Sequence, residues 1–445
     1  MGSPLTDVPF SRFFSESRLL KAGLIFNVGY YLAVVLTFVA LRITGQIGST
    51  IYQMDFQVFF AASQMLSVAP ADLYSVASNG LPYRYLPAFA MVVQAFQWVP
   101  LDIAYLTWIS LMMLANWANL KLAYHLCQLC GASLTTKNLE KTLFILFIAP
   151  QHVVNLILGQ VSQLAIFLIL YSLVILHSGA DDSFRQFFVA SLLVGVAAHL
   201  KPFAILLVPF LVPVERHRRY LIRVPLKPLA AVVAGVGLAM LPSAMFFITY
   251  PDSFWGFVDV TANGRLGYHH STSLVTLIGA LVPQLRNILL AHTTLLIPTV
   301  AMFAVSYARF ISTPNTYKSY IMHFSEVVFI VLIIYPESWF LFLAILYSLL
   351  GPSMIMLYGP ESMMDKKPHL DALWSLSNNV MAFFWVGVVI HYLVLGYDPV
   401  VPVCVVIMYV LYQHVLFRRF RIQKVGLTHQ CDHGNGQDRP EHKNL

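Results

Sequence analysis

The residues of this chain best able to do chemistry are a carboxylate, an arginine between tyrosines, a lysine before a proline and a histidine pair. Asp55 opens the run Met54-Asp55-Phe56-Gln57-Val58-Phe59-Phe60, just after the first long apolar segment. Beside Phe56 and Phe59 at a bilayer edge it would be partly desolvated, which raises a carboxyl pKa and makes the ionised form a stronger base. The same position suits a helix cap, because Asp favours N-caps and an amphipathic run follows. Arg84, between Tyr83 and Tyr85, could clamp a phosphate bidentately, or snorkel beside an aromatic interfacial belt. Lys201 lies between two apolar runs, after His199 and before Pro202. An ionisable group inside a membrane usually faces a cavity or a partner, so phosphate binding and a structural ion pair are both open. Gln160, following Asn155 and Gly159, offers amide donors and acceptors to a polar cavity, or an interhelical hydrogen bond.

A second polar island reads Asp259-Val260-Thr261-Ala262-Asn263-Gly264-Arg265-Leu266-Gly267-Tyr268-His269-His270-Ser271. Its glycines, hydroxyls and imidazoles suit sugar recognition; paired histidines in a loop are also an ordinary solvated feature. Glu337, in Pro336-Glu337-Ser338-Trp339, is a further carboxylate, next to a tryptophan able to stack on a sugar face.

The elements that must position these groups follow from composition. Of 445 residues, 58% are hydrophobic and 11% charged, whereas a soluble domain carries about 25% charged residues. Apolar runs of about 20 residues recur along the chain, long enough to span a bilayer. They are continuous rather than alternating, which excludes a β-barrel and makes this an all-α polytopic membrane protein. The net charge of +7 is gathered in short clusters: Arg12/Arg18/Lys21, Arg216 to Arg219 with Arg223 and Lys227, Lys366-Lys367, and Arg418 to Lys424. That is how short cytoplasmic loops orient spans, and it argues against nucleic acid as a partner. The four cysteines make no disulfide framework, and Cys127-x-x-Cys130 lacks the second ligand pair a zinc site needs. The first apolar segment has no small-residue cleavage site and is read as an anchor span.

Spans are expected near 22–42, 86–99, 103–125, 141–157, 161–177, 187–214 (broken at Lys201-Pro202), 229–249, 288–308, 320–335, 339–357, 373–395 and 399–417. That makes about twelve, with both termini cytoplasmic. The pair flanking Leu158-Gly159-Gln160 could instead be a re-entrant hairpin. Outer islands are expected at 43–85, 178–186, 250–273 and 335–339. Residues 1–427 are expected to form one integral-membrane domain, and 428–445 a disordered cytoplasmic tail.

In order along the chain, Asp55-Phe56, Leu73-Tyr74, Tyr85-x-Pro87, Asn155, Gly159-Gln160, Lys201-Pro202 and Pro336-x-Ser338-Trp339 resemble the GT-C superfamily of membrane glycosyltransferases. The specific likeness is to glycosyltransferase family 87, the polyprenyl-phosphate-mannose-dependent mannosyltransferase-like proteins. It implies a GT-C-type bundle whose extracytoplasmic first loop carries juxtamembrane helices, in a plasma membrane of bacterial type. It also implies a polyprenyl-phosphate-linked sugar donor, a lipid or glycan acceptor, and a catalytic aspartate that maps to Asp55. Arg84 and Lys201 would then bind the donor phosphate, and Tyr85, Asn155, Gln160, His269, His270, Glu337, Ser338 and Trp339 the sugar or acceptor. Relatives commonly follow the Ser-Trp corner with histidines; here the chain continues Phe340-Leu341-Phe342. His269, His270 or Glu337 would have to stand in for them.

Such chemistry needs one base, because a polyprenyl phosphate is already a good leaving group. No metal and no cofactor are required, and single displacement would invert the anomeric carbon. Two other readings stay open. A transporter or lipid flippase would show matched broken helices in two repeats, and only Lys201-Pro202 breaks visibly. A catalytically inactive relative that binds lipid would fit the missing histidines.

Overall fold

The structure, a computed structural model, describes residues 8–78, 80–129, 136–178, 183–218, 221–262, 271–285, 292–313, 320–335, 338, 340–357, 372, 375–376 and 401–417. Helix dominates, as it must where lipid offers the backbone no hydrogen bonds.

α1 (Phe10–Glu16) packs its aromatic face on Trp117 and Tyr124. α2 (Arg18–Ile43) starts at Ser17, whose hydroxyl accepts the Leu20 N–H. α3 (Met54–Val68) and α4 (Pro87–Val93) are short. Between them run a tight turn, Pro70–Ser75, and a small hairpin pairing Ala77 with Pro82 and Ser78 with Leu81. Then come α5 (Leu101–Leu129), α6 (Thr136–Ile148), α7 (Pro150–Leu158), α8 (Ser162–His177) and α9 (Ser183–Leu200). A tightly wound segment, Pro202–Leu211, leads to an antiparallel pair, Glu215–Arg218 with Leu221–Arg223. The remaining helices are α10 (Leu226–Thr249), α11 (Pro251–Ala262), α12 (Leu274–Leu281), α13 (His292–Ser312), α14 (Tyr320–Ile334), α15 (Leu343–Leu357) and α16 (Val401–Phe417). Among the described residues five helices are long and apolar enough to cross a membrane: α2, α5, the stretch Leu139–Leu158 within α6 and α7, α9 and α10.

The bundle has two distinguishable ends. Arg42, closing α2, donates to Asp102 at the start of α5 at 2.7 Å. At their other ends Tyr124 and Gln128 of α5 donate to the Val8 carbonyl, just before α1. α7 ends beside Gln53, and α8 leaves from Ser162 and returns through α9 to Lys201. Asp55, Gly159, Gln160 and Lys201 therefore share one end. Sixteen residues of α8 span about 24 Å, so His177 and Ser183 lie at the opposite end.

Three sequence expectations change with this path. The run 86–99 is not a span: Pro87 starts a seven-residue helix that lies against α3, and Trp98 is 92% exposed beyond it. His177 and Ser183, which flank the outer island expected at 178–186, are at the end opposite Asp55, not beside it. With 86–99 counted as a span Lys141 would lie on the outer side; on α6 it is instead away from the Asp55 end, because α6 packs on the first half of α2, where Gly23 meets Phe144 and Phe147. The basic residues Arg12, Arg18, Lys21, Lys141, Arg223 and Lys227 then share the end opposite Asp55, as the orientation rule requires. The pair around Gly159 is no shallow hairpin, since α6 and α7 together run the length of α2. The expected span at 373–395 lies almost wholly outside the described residues, and the 428–445 tail entirely so.

Helix contacts use small residues and buried amides, as lipid-embedded bundles do. Gly235 of α10 sits against α9 so closely that a Cβ would fall 2.4 Å from the Phe188 carbonyl. Asn27 of α2 donates to the Phe147 carbonyl and accepts from Asn116 and Tyr30, which pins α2, α5 and α6 together. Near the basic end, Glu326 of α14 receives Arg309 at 3.1 Å and Ser306 from α13, and Gln413 from α16.

Candidate active site

The Asp55 end is built on one glycine. Gly159 closes α7 with φ +75°, a left-handed conformation that favours glycine. A Cβ there would lie 2.6 Å from the Phe56 Cβ, so the missing side chain also lets α3 approach. Trp108 Nε1 donates to the Gly159 carbonyl at 2.9 Å, and the Tyr105 hydroxyl to those of Leu156 and Ile157. These α5 donors satisfy carbonyls that the end of α7 leaves unpaired. The chain then turns Gln160 toward α3.

α3 is fixed at its start. Gln53 precedes it with φ +63°, donates its N–H to the Ile157 carbonyl at 3.0 Å, and donates its amide to Asp102 Oδ1 at 3.0 Å. Asp55, two residues on, is 8% exposed. It is not the cap of α3, because Gln53 holds that position. Its carboxylate points instead to the next helix pair: Gln160 Nε2 donates to Asp55 Oδ2 at 2.6 Å.

Gln160 is the hub. Its Oε1 accepts from Lys201 Nζ at 3.0 Å and from the Tyr85 hydroxyl at 3.3 Å. One neutral amide thus bridges a buried carboxylate and a buried ammonium. Lys201 is 4% exposed and ends α9 in extended conformation, with Pro202 preventing its continuation. Its ammonium lies 4.6 Å from the centre of the Phe342 ring and 5.7 Å from that of Tyr85, within reach of both aromatic faces. Tyr85 is wedged edge-on against Phe59, and its carbonyl takes the Tyr74 hydroxyl at 2.9 Å.

Burial raises the Asp55 pKa above the usual carboxylate range; the Gln160 hydrogen bond and the Lys201 charge pull the other way without cancelling it. Burial also lifts the Tyr85 phenol, with the Asp55 charge adding to it, so Tyr85 stays a neutral donor. Arg84 is half-buried, and its charge is felt by Tyr85.

Of the residues singled out from sequence, Asp55, Tyr85, Gln160 and Lys201 come together, with Arg84 adjacent through Tyr85. Asn155 is buried on α7, and its carbonyl accepts the Gln160 N–H at 2.8 Å. Ser338 closes a corner: its hydroxyl donates to the Leu332 carbonyl, and its own carbonyl takes the N–H of Thr272 at 2.7 Å. His269, His270, Glu337 and Trp339 lie outside the described residues. Not singled out from sequence were Gln53, Asp102, Tyr105 and Trp108, and Phe342 was marked only as part of the run that stands where histidines are expected. An acidic residue after Pro100, at the start of a helix, was the visible signal for Asp102; the others carry none.

The model of glycosyltransferase family 87 matches residues 83–336, more than half of the chain. The chain belongs to glycosyltransferase family 87. No curated protein matches it. This family 87 glycosyltransferase carries Tyr85, Asn155, Gln160 and Lys201 within the matched residues, whereas Asp55 lies upstream of them. What ties Asp55 to the matched region is the bond from Gln160. A buried carboxylate and a buried cation on one amide are groups able to accept a proton and to stabilise an anion within one site.

Proposed function

We propose that this glycosyltransferase moves a hexose, mannose in the first instance, from a polyprenyl-phosphate donor to a hydroxyl of a lipid or glycan acceptor. The carrying observation is the Asp55–Gln160–Lys201 bridge. Asp55 takes the acceptor O–H proton as that oxygen attacks the anomeric carbon. The bond from the anomeric carbon to the phosphate oxygen breaks, and the electron pair leaves with the polyprenyl phosphate. Lys201 and Arg84 stabilise the charge that grows there. One base and one displacement invert the anomeric configuration.

Gln160 is assigned to holding both charged groups rather than to the sugar directly. Its hydrogen bond to Oδ2 leaves Oδ1 for the acceptor. Tyr85, neutral and edge-packed, borders the same space. Ser338 is assigned to the corner that follows α14. His269, His270, Glu337 and Trp339 remain proposed sugar or acceptor contacts.

The basic residues at the opposite end support an orientation with that end and both termini cytoplasmic, and the Asp55 end extracytoplasmic. α3 and α11 then lie along the outer membrane surface. α11 rests on the Pro70–Ser75 turn through the Ser253 hydroxyl and exposes Phe254 and Trp255, residues suited to an interface. A donor with a lipid tail would arrive there from the bilayer.

The test is transfer by the purified full chain from polyprenyl-phosphate mannose to candidate acceptor lipids, with Asp55→Asn beside wild type. A positioned general base is worth about 10²- to 10⁴-fold, so the variant is expected to lose at least about 100-fold in kcat. Transfer at the wild-type rate would end the assignment.

A further inference from the structure

Gln151 and Asn155 sit one turn apart on the same face of α7, and the bridge described above uses neither side chain. Both are 0% exposed. Neither the oxygen nor the nitrogen of either amide has a hydrogen-bond partner. Buried polar side chains are bonded in the large majority of cases, so four unpaired amide atoms on one helix face call for an explanation. The backbone supplies the direction: α7 runs from Gln151 through Asn155 to Gly159, and Asn155 holds the N–H of Gln160. The two amides therefore form a polar stripe that leads along the helix to the catalytic bridge.

The chemistry of the stripe selects its ligand. A carboxamide donates two hydrogen bonds and accepts at its oxygen, which matches a hydroxyl, itself both donor and acceptor. It brings no positive charge, so it is a poor match for a phosphate. Four residues of helix rise about 6 Å, a spacing that one sugar ring can bridge. Both amides are closed off from solvent in this structure, and α7 also packs against Phe340–Phe342, whose last ring covers Lys201. A ligand that reaches Gln151 and Asn155 must part the packing around α7.

We infer that Gln151 and Asn155 form a hydroxyl-binding station that receives the glycosyl unit of a substrate beside the catalytic bridge. The inference rests on the proposed function for the class of substrate; the resemblance already implies a sugar or acceptor contact for Asn155, and what is new is Gln151 and the paired station the two amides make. The hydroxyls can come from the donor sugar or from a glycosyl acceptor. Either source meets the same amides.

The experiment uses the full chain in detergent with Gln151→Met and Asn155→Leu, which approximate the outline of the side chain and remove the amide. Thermal unfolding is followed alone, with polyprenyl phosphate, with polyprenyl-phosphate mannose, and with methyl mannoside or methyl glucoside. KM is measured separately for donor and acceptor. Without ligand the variants are expected to unfold no earlier than wild type, since each removes an unpaired buried group. The extra stabilisation by the sugar-bearing donor over bare polyprenyl phosphate is expected to shrink, with binding about 3- to 10-fold weaker per amide. A raised donor KM assigns the station to the donor sugar, and a raised acceptor KM to the acceptor. Variants that keep every ligand-induced shift and both KM values overturn the inference, whether or not they unfold earlier. If wild type gains nothing from polyprenyl-phosphate mannose, the donor reading fails. The station is then decided by the methyl glycosides: stabilisation that the variants lose keeps it, and none ends it.

Discussion

Substituting Gly159 by alanine tests the site through its scaffold and leaves every charged group in place. Two costs follow from the geometry. An L-residue held at φ +75° costs about 1–2 kcal/mol relative to glycine. The new Cβ would lie 2.6 Å from the Phe56 Cβ, which cannot rotate away because it is fixed to the α3 backbone. Overpacking of this kind costs about 1–3 kcal/mol, so a total of about 2–5 kcal/mol is expected. Relief to an ordinary contact needs a shift of roughly 1 Å between α7 and the residue next to Asp55. A misplacement of that size costs on the order of 100-fold in rate. The assay is thermal unfolding together with transfer kinetics in the same detergent. Gly237→Ala is the control, because a Cβ on that α10 residue meets nothing within 4 Å. It is expected to leave activity intact and stability unchanged or slightly raised, since alanine favours helix. A Gly159→Ala protein with wild-type kcat would refute the claim that the approach of α7 to α3 sets the position of Asp55.

The pH dependence of transfer carries a sign that burial fixes. Asp55 must be ionised to act as base and its pKa is raised, so kcat/KM is expected to fall on the acid side at a pH above the usual carboxylate range. Lys201→Met removes the opposite charge and should move that limb to still higher pH; a limb that stays or moves down refutes the pairing. Asp102→Ala takes away the acceptor that holds Gln53. It should cost about 1–3 kcal/mol in stability and lower kcat with little change in KM, and an equal kcat would separate that clamp from catalysis. Arg309→Met takes the arginine from the buried Glu326 carboxylate near the basic end, leaving it Ser306 and Gln413, and should cost about 3 kcal/mol in unfolding free energy. Because that network lies away from Asp55, the folded fraction should transfer at the wild-type rate. A rate loss in the folded protein would show the two ends to be coupled.

The class of fold was legible because lipid imposes one rule on every span, and apolar runs bounded by charge report it directly. The break at Lys201-Pro202 was legible for the same kind of reason, since proline cannot continue the helix. The path between 86 and 186 was not. Pro87 to Val99 is apolar enough to resemble a span, yet it is held against α3 by Phe89 and Phe59, a tertiary contact that local hydropathy does not encode. Once that segment is removed from the count, Lys141 and the start of α9 at Ser183 change ends, and Lys141 joins Arg12, Arg18, Lys21, Arg223 and Lys227. The site was legible as residue types, and the arrangement was not. Gln160 read equally as ligand contact or interhelical bond, because what decides it is Lys201, 41 residues away in sequence. Gln53, with its positive φ, carries no sequence mark at all.

Phe342 shows how this site uses the departure after the Ser-Trp corner. Where the resemblance leads one to expect histidines, the chain places an aromatic ring 4.6 Å from the Lys201 ammonium. An imidazole could share a proton with the site; a phenyl ring can only exclude water and offer its face to the cation. Under the proposed function, water exclusion would strengthen the field of Lys201 on a departing phosphate, and it also raises the cost of leaving that lysine unpaired. Gln160 resolves the conflict by giving the ammonium a neutral acceptor. A carboxylate there would bind the lysine more tightly and compete with the phosphate. Gln160→Glu therefore tests the logic of the bridge. The added charge sits between Asp55 and Lys201, which should raise the Asp55 pKa by like-charge repulsion and weaken donor binding by occupying Lys201. Both effects lower transfer at neutral pH by different routes, one in the acid limb and one in donor KM. A Gln160→Glu enzyme with an unchanged donor KM would mean that Lys201 does not meet the phosphate.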